Sequence, residues 1–187
     1  DEIVIYPSPP EIPRIQFLTS INTTADILKR QSGFNKFIFG EDKPKSIVKP
    51  YGIFIRNGKI YIADSGAGGI EIIDPVNGTF DLFVPGGMGQ LKLPINCFVD
   101  EQDRLYVADG TRKQIVVFDG ERKYLTAFGD KENFKPTDVF VYDQKIWVAN
   151  LEGQKIQVYD QENNDFLYSI PDHDKKDDGF LSQPLNI

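Results

Sequence analysis

The sequence predicts an all-β chain: a β-propeller of four-stranded antiparallel blades, about three of them full and others partial. A short helical insertion is expected near the N-terminus. Three observations carry this reading. A unit of four short apolar runs, Lys49 to Gly86, returns at Leu93 to Gly129 and again at Lys135 to Pro171. Each unit opens on a proline, at Pro50, Pro94 and Pro136, and a fourth, Pro184, follows one period later. The period of about 42 residues is the length of a four-stranded blade. Turn residues close the runs, with Asn77-Gly78, Asp119-Gly120 and Asn163-Asn164 between third and fourth runs. Such pairs tolerate the positive φ that tight hairpins require.

Taken in order, residues 1–13 form a proline-rich arm. Pro7, Pro9 and Pro10 bar it from a central strand. Residues 14–21, RIQFLTSI, resemble the fourth runs KYLTAF and DFLYSI, so they are expected as the outer strand of a split blade. Residues 22–45 break the period. Thr23 or Thr24 can cap a helix, Ala25 to Arg30 favour one, and Gly33 can end it. Inserted segments on repeat scaffolds are candidate binding surfaces. Blades are expected at 46–87, 88–130 and 131–172, and residues 173–187 hold a loop and the start of the next blade.

Within each blade the runs have distinct characters. First runs (YGIFI, INCFV, TDVFV and, last, LNI) lack clear alternation and are expected as inner strands buried on both faces. Cys97 shares a column with Ile53 and Val139, so it reads as a small buried hydrophobe. Second runs end in Asp64, Asp109 and Asn150, side chains able to accept N–H bonds from the next turn. Third runs alternate: Ile70 and Ile72, Ile115 and Val117, Ile156 and Val158. Fourth runs are more polar, as an outer edge should be.

Composition narrows the function. With 21 Lys and Arg against 28 Asp and Glu, the net charge is −7, which argues against a nucleic-acid binder. No apolar run approaches the ~20 residues that span a bilayer, and no export leader is recognised. The chain starts at Asp1 rather than Met, which reads as processing or a piece of a longer protein. One cysteine and one histidine leave little for nucleophilic catalysis, and no GxSxG, HExxH, phosphate-loop or paired-cysteine motif is present. His173 lies in the charged stretch PDHDKKDDG with Asp172, Asp174, Asp177 and Asp178, whose spacing is not that of a calcium loop.

One column holds candidate ligands. Two residues after each opening proline stand Gly52, Asn96, Asp138 and Asn186. Inner strands bring this column toward the axis, where Asn96, Asp138 and Asn186 would offer oxygens to a hard cation. Ca²⁺ is the one cofactor weighed; otherwise none is implied. Tyr51 and Phe180 are candidate anchors for a protein partner.

The units KPYGIFIRNGKIYIADSGAGGIEIID, LPINCFVDEQDRLYVADGTRKQIVVFD and KPTDVFVYDQKIWVANLEGQKIQVYD resemble NHL repeats of the bacterial six-bladed β-propeller group, over about Arg14 to Ile187. The arginine of that family's NxRI segment is replaced by Gly69, Gln114 and Lys155. The resemblance to secreted or lipid-anchored members implies an extracytoplasmic location: periplasmic, secreted or held by a lipid anchor upstream of Asp1. The lactonase-type propellers, more loosely similar, hold an axial calcium on Asn, Asp and Glu. Six blades need roughly 250 residues, so the remaining ones would come from another chain or from further sequence. The expected function is a non-enzymatic scaffold for a protein or other ligand. The alternatives are a calcium-dependent hydrolase or lyase and a structural subunit of a larger assembly.

Overall fold

The computed structural model describes residues 4–8, 10–12, 14–28, 44–129, 132–172, 181 and 183–187. They fall into two units that divide between Ser46 and Ile47.

In the first unit, β1 (Ile5–Tyr6) pairs antiparallel with β2 (Ile15–Gln16). The segment expected as the outer strand of a split blade is therefore half of a small hairpin. Two paired residues are too few to read as a strand from pattern alone, and the likeness to later fourth runs misled. Residues Thr24–Asp26 form one turn of 3-10 helix where a longer helix was expected. The Asp26 carboxylate accepts from the backbone N–H groups of Asn22 and Thr23, both at 2.8 Å. Those two bonds hold its carboxyl below the usual range. Ala25 to Leu28 lie in or beside this turn, while Arg30 and Gly33 lie outside the described residues.

The second unit is three four-stranded antiparallel sheets, each in strict chain order. The first blade is β3 (Pro50–Arg56), β4 (Lys59–Asp64), β5 (Gly69–Asp74) and β6 (Thr79–Phe83). The second is β7 (Pro94–Val99), β8 (Leu105–Asp109), β9 (Gln114–Phe118) and β10 (Tyr124–Phe128). The third is β11 (Pro136–Tyr142), β12 (Lys145–Asn150), β13 (Lys155–Asp160) and β14 (Phe166–Ile170). Two apolar clusters bind them face to face. One packs Tyr61, Ala63 and Ile70 of the first blade on Cys97, Val107 and Phe118 of the second. The other packs Phe98, Tyr106 and Val117 on Val139, Ile146 and Tyr159 of the third.

The second blade, covered on both sides, shows what the apolar runs anticipate: all of β8 is buried. The expectation that every first strand is buried on both faces fails at β3. There Tyr51, Ile53 and Ile55 are exposed while Gly52, Phe54 and Arg56 are half-buried. Only the second set faces the β7 blade, so β3 alternates.

Each blade is tied at the end of its second strand. Asp64 Oδ2 accepts from Val48 N–H at 2.6 Å, and its Oδ1 accepts from Lys49, Gly66 and Ala67, each at 2.9 Å. Asp109 repeats the arrangement with Lys92, Leu93, Thr111 and Arg112. Asn150 keeps two of the four bonds, from Lys135 and Gly153, and its Nδ2 donates to the Asn133 carbonyl. Burial would raise the Asp64 carboxyl, yet its four backbone donors outweigh that and hold it below the usual range. A sidewise clamp adds to the second knot: Arg112 Nη1 donates to the Met88 and Gln90 carbonyls at 2.8 Å each.

The outer hairpins have a common device as well. Asp74 and Asp160 end their third strands and Asp119 directly follows β9, and each Oδ1 accepts from two backbone N–H groups of the following turn. Positive φ falls on Gly78 and Asn164, as their residue types suggest, but in the second blade on Arg122 rather than on Asp119 or Gly120.

Asp109 is wholly buried. Asp109→Ala strands four backbone donors and should cost about 3 kcal/mol or more. Asp109→Asn keeps an Oδ1 acceptor, as Asn150 does naturally, and should cost less. Urea unfolding of the three proteins tests this order, and equal midpoints for Ala and Asn would refute it.

Candidate functional site

The inner strands β3, β7 and β11 lie side by side, and their registers share one irregularity. Each shifts register between the opening proline and the residue two later, at Pro50/Gly52, Pro94/Asn96 and Pro136/Asp138. A bulge re-aims the side chain beside it. From there the period of two sets residues two, four and six after the proline on one face. Three layers result along the inner edge.

The first layer holds the column read as candidate metal ligands. Asn96 Nδ2 donates to Asp138 Oδ1 at 2.6 Å. Asn96 Oδ1 accepts from Cys97 N–H at 2.9 Å, which fixes the amide's orientation. Asp138 Oδ1 also accepts from Val139 N–H, and its Oδ2 accepts from Ile187 N–H, both at 2.8 Å. Thr137 Oγ1 donates to the Pro184 carbonyl at 3.0 Å. The last residues thus run beside β11. Asn96 and Asp138 are brought together; Asn186 is exposed, and the backbone N–H of its neighbour, Ile187, reaches Asp138 instead.

As arranged, this set does not fit a calcium ion. Ca²⁺ takes six to eight oxygens. Here Asp138 Oδ1 is saturated by two N–H donors, one of them the Asn96 amide, and Oδ2 holds one more. Among the described residues, no three His, Cys, Asp or Glu side chains converge to hold a metal.

Gly52 explains itself in this layer. A Cβ there would lie 2.1 Å from Asn96 Oδ1 and 2.7 Å from Asn96 Cα. Burial raises the Asp138 carboxyl above its ordinary value, against the lowering effect of its three N–H donors. Burial also pushes the Cys97 thiol up to about 12, with the Asp138 charge adding to it, so it packs as an inert hydrophobe.

The second layer is aromatic. Phe54 meets Phe98 at 4.5 Å between ring centroids, and Phe98 meets Phe140 edge-on at 5.1 Å. Such pairs contribute beyond the area they bury.

The third layer is a groove of about 420 Å³ at the turn end of the inner strands, which Arg56, Asp100 and Tyr142 line together. Asp100 is fully engaged. Its Oδ1 accepts from Gln102 and Arg104 N–H at 2.9 Å, and its Oδ2 from Arg104 Nε at 2.7 Å, Gln161 Nε2 at 3.0 Å and Tyr106 Oη at 3.1 Å. Burial pushes the Tyr106 hydroxyl up to about 12, so it stays a proton donor. Sequence reasoning missed this groove, although Arg56, Asp100 and Tyr142 share a signal: each lies six residues after its opening proline.

Of the proposed anchors, Tyr51 is exposed on β3, with Lys49 Nζ 5.5 Å from its ring centroid. Phe180 and His173 lie outside the described residues, as do Asp174, Asp177 and Asp178 and residues 29–43 of the insertion.

The sequence matches no family model and no curated relative. Solved structures do share its fold. A streptogramin B lyase is 18% identical with a TM-score of 0.53, over 64% of this chain and 39% of that one. A nidogen/laminin complex gives 14% and 0.56, over 70% and 51%. The WD40 repeats of RRP9 give 11% and 0.54, over 65% and 38%. These likenesses carry the fold alone, and the chain is an array of four-stranded β-propeller blades. It spans between about two fifths and one half of the length of these three structures.

The Asp138 carboxyl gives a pH prediction. A folded value above the unfolded one makes the folded state hold its proton longer. Stability from this group is therefore full below pH 3.8 and falls as pH rises through the raised value. Asp138→Asn should flatten that fall, and denaturant midpoints from pH 3 to 7 measure it. An unchanged slope would overturn the assignment. Separately, Gly52→Ala should lose about 1–3 kcal/mol through overpacking against Asn96, read by thermal unfolding.

Proposed function

We propose that this chain is a protein-binding β-propeller scaffold rather than an enzyme, and that it docks through the open faces of its first and third blades. The observation that carries the reading is the exposed face of β3. Tyr51 is 57% exposed, and Ile53 and Ile55 are each 63% exposed. Three large apolar side chains in alternate positions on an inner strand form a surface built to be covered. At the other end of the array, Phe166, Leu167, Tyr168 and Ile170 of β14 are exposed too. Aromatic residues of this kind are the usual anchors of protein interfaces.

The partner these faces suit is more of the same structure: blades from a second copy, another chain or further sequence. The nidogen structure, solved as a complex with laminin, supports the use of such a fold as a docking platform. We assign the blades to the NHL type and the protein to an extracytoplasmic location, on the repeat resemblance. The calcium-dependent alternative has the weaker support, because of its three ligands only Asn96 and Asp138 meet, and they bond each other.

Light scattering on the native chain tests the docking reading. Its mass is 21.2 kDa. The expected result is a larger species that Ile53→Asp with Ile55→Asp returns to the single-chain mass. A single-chain species that the double substitution leaves unchanged in mass, and no less prone to self-association at high concentration, refutes docking between copies.

A further inference from the structure

We propose that the groove at the turn end of the inner strands binds a small monocarboxylate with an aromatic or aliphatic body, and that Arg56 is its anchor. This site is separate from the sheet faces invoked for protein docking. Arg104 is satisfied by Asp100 at 2.7 Å, inside the five-donor cage around that carboxylate. Arg56 lines the groove beside Asp100, yet among the described residues no hydrogen bond or ion pair engages its guanidinium, and its Nε is buried without a partner.

A guanidinium is a planar fork that matches a carboxylate with two parallel N–H bonds. Asp100 cannot serve as that carboxylate, because its oxygens are already filled from its own turn and from Gln161. The groove therefore holds a strong donor that none of its lining acceptors engages among the described residues. A ligand would supply an acceptor.

The rest of the lining sets the ligand's other features. Phe98 and Val141 supply apolar wall, and Tyr142 stands at the rim, 67% exposed and stacked on Phe140 at 6.4 Å. An apolar or aromatic body has a surface to lie on. The volume of about 420 Å³ suits a small molecule. Glu101 and Asp143 also line the rim, with Lys145 Nζ 3.8 Å from Asp143. These two carboxylates oppose a second negative charge on the ligand, which selects a monocarboxylate over a phosphate or a dicarboxylate.

Phenylacetate is the probe. Titrated into ¹⁵N-labelled native chain, it should shift the Arg56 Nε–Hε signal and the Tyr142 ring signals saturably. Phenylacetamide, equal in shape but uncharged, should not, and inorganic phosphate should act at least tenfold more weakly. Arg56→Gln should lose about tenfold in affinity or more, and Arg56→Lys, which keeps the charge without the fork, most of that. If Arg56→Gln fails to fold, the comparison of acid with amide on the native chain decides. No saturable shift, an equal response to the amide, or unchanged binding by a folded Arg56→Gln overturns the proposal. Light scattering reads the docking faces independently, so either reading can fail without the other.

Discussion

The acceptor at the end of each second strand is the constraint on which the blades depend. Asp64 takes N–H bonds from Val48 and Lys49, just before the first strand, and from Gly66 and Ala67, just after the second. One side chain thus fixes the chain's way into a blade and its first turn within it. Without it, two loops would leave four partly buried backbone donors without their protein acceptor. A neighbouring backbone bond, Ser65 N–H to the Lys49 carbonyl, recurs as Gly110 to Leu93 and Leu151 to Lys135. The third blade makes do with an amide because Asn150 Nδ2 finds its own acceptors in the Asn133 carbonyl and Gln157 Oε1. An aspartate there would face those two oxygens with no proton to give.

Fixing the entry of each first strand also fixes its register toward the inner edge. The shared bulge and the period of two then decide what each layer contains. Two residues after the proline stand Gly52, Asn96 and Asp138, the last two bonded to each other; residues four after it are all phenylalanine, and residues six after it are Arg56, Asp100 and Tyr142. The architecture constrains the middle layer most, since rings from adjacent blades meet there. The end layers differ from blade to blade, and so they can carry chemistry that a strict repeat could not.

Much of this was legible in the sequence. The period, the proline openings and the strand-ending Asp and Asn predicted three blades in chain order, and TFDLF, YLTAF and FLYSI are their outer strands. Two failures have physical causes. Ile15–Gln16 resembles a fourth strand, but two residues of pattern cannot fix a partner, and it pairs with Ile5–Tyr6 instead. The burial of β3 was overestimated because an apolar run shows that a face can be covered, not that it is. The candidate site was legible only in part. The column of Asn96 and Asp138 was found by spacing, but spacing does not orient an amide, and the Cys97 N–H turns Asn96 so that its Nδ2 meets the carboxylate. Arg56 escaped notice because its significance is the absence of a partner, which no pattern in one strand records.

The aromatic layer has a consequence for any ligand at the inner edge. Phe54, Phe98 and Phe140 lie between the Asn96–Asp138 pair and the groove of Arg56, so the two polar ends cannot cooperate on one small molecule. A buried carboxyl with a raised pKa sits at one end, and at the other the Arg56 guanidinium, whose Nε has no partner among the described residues. Their opposition would favour pairing if they could reach each other, since a carboxylate and a guanidinium in contact gain more than either does alone. The rings prevent it. Asp138 is left to the Asn96 amide and to the Val139 and Ile187 backbone donors, which suits a structural role. Arg56 is left lining the groove, its buried Nε without a partner among the described residues.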